Sequence, residues 1–591
     1  MESHSTRRSA TWIAALAGVA AIALLTLRAK EAGRREPVPP AQPMAIAAAR
    51  TLDAVSDSAA IATALATVLD QPRPAGLRAD EWATVARLYG RATPGSAPSP
   101  FWLADGQLAP RATDFAAILT AVDSIGLRPS DYATDAVTAA LRAAAPAATL
   151  PGGEIALARA DVRLTASFVA LADDILVGRT DPRRVEPGWH IARDTVGVGA
   201  RITTTIVAVR DGEPIAATLA ALRPDYGSYG GLVRALARYR ALDAAGGWPS
   251  IPKGATVRRG DVDPRLTALR ARLAAEGYLA SVIGSDTLDQ TLTAAIAAFQ
   301  DRHGLTVDSL LGPRTRAALA IPAAQRVRQI EANLERLRWL PANPGERFVV
   351  VNVPGFNLYA FEGGKRVLSM RVVVGDELAS RRTPIFADTM EYIQFGPYWN
   401  VPRSIAVNEV LPQARRDRSY LARNNYRILR GWGDDAPIVD PNGLSNSALF
   451  SARYRVRQDP GPRNALGRVK FMFPNEYAVY LHDTPARTRF ADADRALSHG
   501  CVRVADPEAL AAYVLRDRTD WPRERIAATL EAGRRQRVTL SHGPPVYLIY
   551  LTAFAQDGIA TFRDDIYDRD TTILRALAAQ TRRASGMRPS S

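Results

Sequence analysis

The chain of 591 residues contains one cysteine, six histidines and six methionines, and each scarcity excludes something. A single cysteine rules out an intramolecular disulfide, so the covalent staple common in exported domains is missing and the compartment has to be inferred from other features. With so few histidines and one thiol, no ligand cluster stands at metal-binding spacing, and the sequence calls for neither a metal nor a cofactor. Aromatic residues make up 7%, and only one long uncharged apolar run occurs. Lysine is nearly absent as well. The net charge of +15 comes almost wholly from scattered arginines without a nucleic-acid-binding motif, so nucleic acid is not an expected partner. A surface of that sign favours partners bearing carboxylates. With 47% apolar and 23% charged residues the composition is that of ordinary globular material, enough for about three or four domains.

The lone cysteine lies in Ala496-Leu-Ser-His-Gly-Cys-Val-Arg-Val504, with His482 upstream. A thiol needs only a modest pKa depression to supply thiolate, so Cys501 is a candidate nucleophile and an imidazole its candidate base. Asp506-Pro507 followed by apolar residues at helical spacing predicts a capped helix, which would leave Cys501 in a strand-to-helix connection. Tyr477 to His482 alternates as a strand does and carries His482 to its end. The backbone N–H groups of Gly500 and Cys501 are candidate oxyanion donors. Residue types alone leave a second reading open, in which the cysteine is a small buried hydrophobe and the histidine is structural.

The full wording, His482-Asp-Thr-Pro485 followed by Ser498-His-Gly-Cys-Val-Arg503, resembles the L,D-transpeptidase signature of YkuD-type catalytic domains. The resemblance implies that Cys501 attacks a peptidoglycan tetrapeptide stem, releases D-alanine and holds the acyl group as a thioester. His482 is then the general base, its ring oriented by the backbone of Asp483, with His499 and Gly500 in support. Arg503 offers a bidentate donor to a substrate carboxylate or pins the loop. Tyr480, at period two from His482, and Ser498 complete the expected substrate-binding residues. The acceptor stays open: a diaminopimelate amine gives a 3→3 cross-link, water makes the enzyme a carboxypeptidase, and a lipoprotein lysine makes it an anchoring transferase. Carbapenems are expected to acylate the cysteine in this family.

Other parts of the chain fit this frame. Thr11 to Leu27, after Arg7 and Arg8, is the uncharged apolar run and is expected to anchor a periplasmic protein in the cytoplasmic membrane. Arg28, Lys30, Arg34 and Arg35 after it run against the usual charge bias. Residues 1–35 form this anchor or signal segment, and 36–56 a Pro/Ala-rich tether. Residues 57–259 read as an α-rich scaffold, with apolar residues at helical intervals such as Phe115, Ile118, Leu119 and Val122. Phe101-Trp-Leu103 and Gly178-Arg-Thr-Asp-Pro182 in it resemble the large, YcbB-like L,D-transpeptidases. Residues 260–322 resemble the three-helix peptidoglycan-binding module through Phe299-Gln-Asp-Arg-His-Gly-Leu305 and Leu311-Gly-Pro-Arg-Thr315. Residues 323–346 are expected to hold a connecting helix over Gln325 to Trp339.

Strand texture begins at Arg347, and Glu362-Gly-Gly-Lys365 is a hairpin signal. The catalytic domain is expected over 347–555, interrupted at about 408–463 by a lid without strand alternation. Val546 to Phe554 is expected to be one closing strand. Residues 556–591 form a C-terminal segment, disordered from Arg582. The expected fold class is α+β multidomain: an α-helical scaffold, a three-helix module and a β-rich catalytic domain with an inserted lid. Expected partners are peptidoglycan stem peptides, the membrane and other wall-synthesis proteins. Two rival readings remain. One is another cysteine amidase of the wall, in which the cysteine commonly precedes its histidine; the other is a non-catalytic wall-binding scaffold.

Overall fold

The structure, a computed structural model, describes residues 58–90, 97–433, 435–556 and 558–584. The apolar run at 11–27, the tether and the tail beyond residue 584 lie outside them. Among the described residues no helix is long and apolar enough to cross a membrane.

The scaffold is built around helix α1 (Glu154–Val177), whose apolar residues occupy every face and are therefore buried all round. Trp102 stacks on Phe115 at 5.1 Å, and Phe168 packs against both rings. The one carboxylate at the heart of this core, Asp161, accepts from the backbone N–H groups of Phe101 and Trp102 and from the Tyr89 hydroxyl, which makes its burial tolerable. Helix α2 (Gly227–Ala244) leads to the small module. There Arg265–Ala275, Gln290–Arg302 and Pro313–Leu319 enclose Leu266, Leu269, Leu273, Leu292, Ile296 and Phe299. Asp289 caps the second of these helices through the Leu292 N–H at 2.8 Å.

Helix α3 (Ala323–Trp339) starts and ends where its periodicity predicts, yet it is far more than a connector. From Asn333 to Trp339 every residue is buried, charged ones included. Arg336 reaches Glu186 of the scaffold through Nε at 2.9 Å and Nη2 at 2.8 Å, and also pairs with Asp570 of the C-terminal region. Glu335 accepts from both the N–H and the hydroxyl of Thr180. An amphipathic pattern cannot announce this, because the buried charges are satisfied by segments distant in sequence.

Among the described residues, the region expected to be catalytic forms an eleven-stranded sheet. Its strands are β1 (Arg347–Asn352), β2 (Asn357–Glu362), β3 (Lys365–Gly375), β4 (Ala387–Thr389), β5 (Tyr392–Phe395) and β6 (Val469–Met472). They continue as β7 (Leu481–His482), β8 (Ala496–Ser498), β9 (Val502–Val504), β10 (Gln536–Thr539) and β11 (Pro545–Ile549). The order is β10-β5-β6-β7-β9-β3-β2-β1-β11-β4, with β8 beside β3. Helix α4 (Pro507–Val514) is capped by Asp506, as its sequence predicts. The fold is thus α+β multidomain, as expected.

Several local expectations need correction. Cys501 is not in a strand-to-helix connection: it lies between β8 and β9, because Val502–Val504 is itself taken up as a strand by β7 and β3. Only Leu481 and His482 of the alternating Tyr477–His482 segment are strand; Asn475 bonds around the preceding residues and turns them. Val546 to Phe554 divides after Ile549, and Ala553–Gln556 pairs instead with Ile559–Phe562. The C-terminal segment contains a helix, α5 (Asp570–Ala584), which runs past Arg582. The inserted segment has strands of its own, Tyr426–Arg430, Ile438–Val439 and Tyr454–Gln458, over a separate apolar cluster that includes Ile405, Leu411, Ile428 and Val456. Its Tyr454-Arg-Val-Arg-Gln458 strand buries Arg457 and Gln458 beside Val456, so no apolar/polar alternation marks it.

The Glu186–Arg336 pair is fully buried, so removing Glu186 leaves the guanidinium in a low-dielectric interior with two hydrogen bonds lost and Asp570 as its remaining ion-pair partner. Glu186→Ala is expected to cost about 3–5 kcal/mol, seen as a fall in the denaturant midpoint of the first unfolding transition. A midpoint unchanged within error would contradict the role assigned to this junction.

Candidate active site

The geometry starts from a two-residue strand. β7 lies parallel to β9, with Leu481 opposite Val502 and His482 opposite Arg503, and the Val502 N–H donates to the Tyr480 carbonyl at 3.1 Å. Leu481, Val502 and Val504 point into the core and are fully buried. By alternation Tyr480, His482, Cys501 and Arg503 share the opposite face. On the other side β6 pairs Lys470 with His482. The Tyr480 and His482 rings meet edge-on at 5.7 Å, and Lys470 Nζ lies 5.5 Å from the Tyr480 ring centre. Lys470 went unnoticed in the sequence because its place depends on cross-strand register.

The Cys501 loop is held from within. Ser498, 2% exposed, donates its hydroxyl to the Cys501 carbonyl at 2.6 Å and accepts from the Gly500 N–H at 3.1 Å. Its hydroxyl and the Gly500 N–H are thus bonded to each other within the loop. Gly500 has φ of +115°, a conformation side chains disfavour. Thr383 donates to the Gly500 carbonyl and accepts from the Gly375 N–H, both at 2.9 Å. Tyr567 supports both of them, donating to Gly375 O at 2.6 Å and accepting from the Thr383 N–H at 3.2 Å. These residues are far from Cys501 in sequence.

His482 Nδ1 lies 2.5 Å from the Asp483 carbonyl, which fixes that nitrogen as the donor and leaves Nε2 as the acceptor. The Asp483 carboxylate turns away to the Arg468 N–H at 2.8 Å and Arg487 at 3.2 Å. Burial, aided by the charges of Arg503 and Lys470, pushes the His482 imidazole down to about 3. Burial also raises the Cys501 thiol, against the pull of hydrogen bonds from Tyr480 and of the same two cations. The resting pair is therefore neutral thiol and neutral imidazole. Burial lowers the Arg503 guanidinium as well, and among the described residues Arg503 has no carboxylate partner. Cys501 Sγ lies 3.8 Å from the Ala478 carbonyl, in the turn that Asn475 braces; Ala478 takes φ of +53° there.

His499 points the other way. Its Nε2 lies 2.7 Å from Glu409 Oε1, in a π-helical turn (Ala406–Val410) of the inserted segment, with Arg381 3.8 Å from the same oxygen. His190, in the scaffold, stacks on Tyr477 at 4.6 Å and donates its backbone N–H to Ile385 O at 2.6 Å, a bracing contact. Among the described residues the acidic group compact enough for a cation is Glu81, Asp173 and Asp174, in the scaffold and paired with Arg78.

Residues 346–539 match the family model described as the L,D-transpeptidase catalytic domain, YkuD. Residues 84–236 match that of a scaffold domain, and residues 262–319 that of a peptidoglycan binding domain. A curated protein of Haemophilus influenzae named "Putative L,D-transpeptidase" is 34% identical over 246 residues, which is 42% of this chain and 48% of that protein. The match thus spans about half the length of the curated relative. Among solved structures, the L,D-transpeptidase of Xylanimonas cellulosilytica is 18% identical with a TM-score of 0.16, covering 50% of this chain and 99% of that one. The L,D-transpeptidase (Yku) of Stackebrandtia nassauensis is 13% identical with a TM-score of 0.21, covering 51% and 96%. Likenesses at those scores carry no argument about the site.

The burial of His482 has a consequence for stability. The unfolded chain takes a proton near 6.5, the folded one only near 3, so this group's stabilisation is complete above about 6.5 and is lost as pH falls through that window. His303, buried and held well below its ordinary value, acts in the same sense. His482→Gln is expected to flatten the slope of unfolding temperature against pH between 6.5 and 4 while leaving the His303 share. Equal slopes in parent and variant would sink the assignment.

Proposed function

We propose that this chain, whose residues match the models of an L,D-transpeptidase catalytic domain, a scaffold domain and a peptidoglycan binding domain, works on peptidoglycan and forms 3→3 cross-links between stem peptides. The carrying observation is the face shared by Cys501, His482 and Arg503, with Tyr480 and Lys470 around them. A tetrapeptide stem enters with its terminal carboxylate toward Arg503, whose fork matches that group. Cys501 Sγ attacks the carbonyl carbon of the third residue, whose bond to the D-alanine nitrogen is to break, as His482 Nε2 takes the thiol proton. Negative charge developing at the sulfur and at the carbonyl oxygen meets the fields of Arg503 and Lys470, which a dry site makes strong. The imidazolium then protonates the departing D-alanine amine, leaving the thioester. In the second half the imidazole accepts a proton from the diaminopimelate amine of another stem as it attacks, and the thiol is restored.

A neutral resting pair suits this order of events, since no thiolate waits for oxidation or stray electrophiles and the proton moves only as the bond forms. Carbapenem acylation of Cys501 belongs to the same proposal, as does a periplasmic or extracellular working place with residues 11–27 as anchor. Water in place of the amine gives carboxypeptidase activity on the same acyl-enzyme. The segment joined to His499 through Glu409 bears on that choice, because a cover over the thioester excludes water.

Cys501→Ala is expected to reduce D-alanine release from tetrapeptide muropeptides to background with an unchanged unfolding temperature, read by mass spectrometry of the products. Undiminished turnover would end the transpeptidase reading. Replacing 408–463 by a short Gly/Ser bridge should raise the ratio of hydrolysed tripeptide to cross-linked dimer across acceptor concentrations. A uniformly slower reaction at constant ratio would restrict the segment to donor binding.

A further inference from the structure

The catalytic sheet has a second feature that its chemistry does not use. In β1, β2 and β11 the inward residues Val349, Val351, Leu358, Ala360, Val546 and Leu548 are fully buried. The alternate residues face outward, and Phe348, Tyr359, Phe361 and Tyr547 are among them. Phe348 lies opposite Phe361, and Val350 lies opposite Tyr359 on one side and Tyr547 on the other. The Phe348 and Phe361 rings stack at 4.9 Å and 11°, and Tyr547 stands edge-on to Phe348 at 6.1 Å. Each of these rings is only half-buried. They form one side of a cavity of about 710 Å³, within the range of small-ligand sites, closed by the start of α2, the Leu340-Pro341 end of α3 and the Phe554–Gln556 strand.

Two aspects identify an occupant. The walls are set by polar contacts: Tyr226 donates to the Pro341 carbonyl, Tyr547 to Pro344 O at 3.2 Å, and Ser228 Oγ accepts from the Ala555 N–H at 2.9 Å. Exposed Arg366 lies over Tyr359 at 5.7 Å and exposed Asp225 stands at the rim. Flat rings with hydrogen-bonding groups at the rim suit the axial C–H face of a pyranose, whose hydroxyl and acetamido groups reach outward. The second aspect is continuity. Through the register Tyr359–Ser369 and Val373–Arg503, the aromatic face is the same sheet face that carries Arg503 and Cys501. At the other end, the Ala553–Phe562 hairpin is tied to the small module, with Arg302 donating to Gln556 O at 3.0 Å and Arg563 to Arg302 O at 2.9 Å.

We propose that this cleft binds a strand of N-acetylated amino sugars, holding the glycan from which the stem peptide reaches the nucleophile. Its identification as wall glycan rests on the proposed function; the binding itself does not depend on cysteine chemistry.

The test uses the full chain and the tetramer of N-acetylglucosamine as probe, followed by saturation-transfer NMR and calorimetry. Acetyl and ring protons are expected to receive saturation from the protein. Tyr359→Ala and Phe361→Ala should each weaken binding at least tenfold, Tyr359→Phe should retain it, and Cys501→Ala should leave it unchanged. Turnover of a glycan-free tetrapeptide should be the same in Tyr359→Ala as in the parent, while turnover on intact sacculi falls. No saturation transfer in the parent, or undiminished affinity in both alanine variants, overturns the proposal. So does a concentration-dependent dimer that the alanine variants abolish, which would assign the face to a second copy of the chain. Absent tetrapeptide turnover in the parent would count against the proposed chemistry and not against the cleft.

Discussion

The site depends on one short parallel pairing, Leu481–His482 against Val502–Val504. Parallel neighbours cannot be joined by a tight turn, so the chain between them must leave the sheet and return. It does so through a 3₁₀ turn (Arg487–Ala491) and β8 before presenting Gly500 and Cys501. A slip of one residue would send His482 into the core and Leu481 to the site, since side chains alternate between faces. The register is held because Leu481, Val502 and Val504 are all completely buried.

Electrostatics follow from the same placement. Putting the imidazole and thiol on a buried face beside two cations disfavours the imidazolium and, through desolvation, the thiolate too. Loop strain is offset nearby: Gly500 keeps its left-handed backbone because Ser498 accepts from its N–H and donates to the Cys501 carbonyl, while Thr383 donates to the carbonyl of Gly500 itself. The other supports come from every quarter of the chain, with Tyr567 beneath the loop, His190 against Tyr477 and Glu409 against His499. The site is therefore a joint product of scaffold, sheet, insertion and C-terminal region. The buried Glu186–Arg336–Asp570 cluster ties the scaffold and the C-terminal region to α3.

The amino-acid sequence by itself determined whatever rests on local pattern. Helix α3, the capped helix after Asp506, the three helices of the small module and the hairpin at Glu362–Lys365 all follow from periodicity, capping residues and turn residues. The Cys501 and His482 candidates were legible because the words around them are specific. Only the tertiary structure decided which strand Val502 joins, what the Ser498 hydroxyl and Gly500 N–H are spent on, and that Lys470 faces His482. It also decided that Arg336 is buried and that arginine-rich strands pack over a core in the inserted segment. Each of these turns on a partner distant in the chain, and a pattern of residue types along one segment carries no information about which distant segment will satisfy its hydrogen bonds and charges.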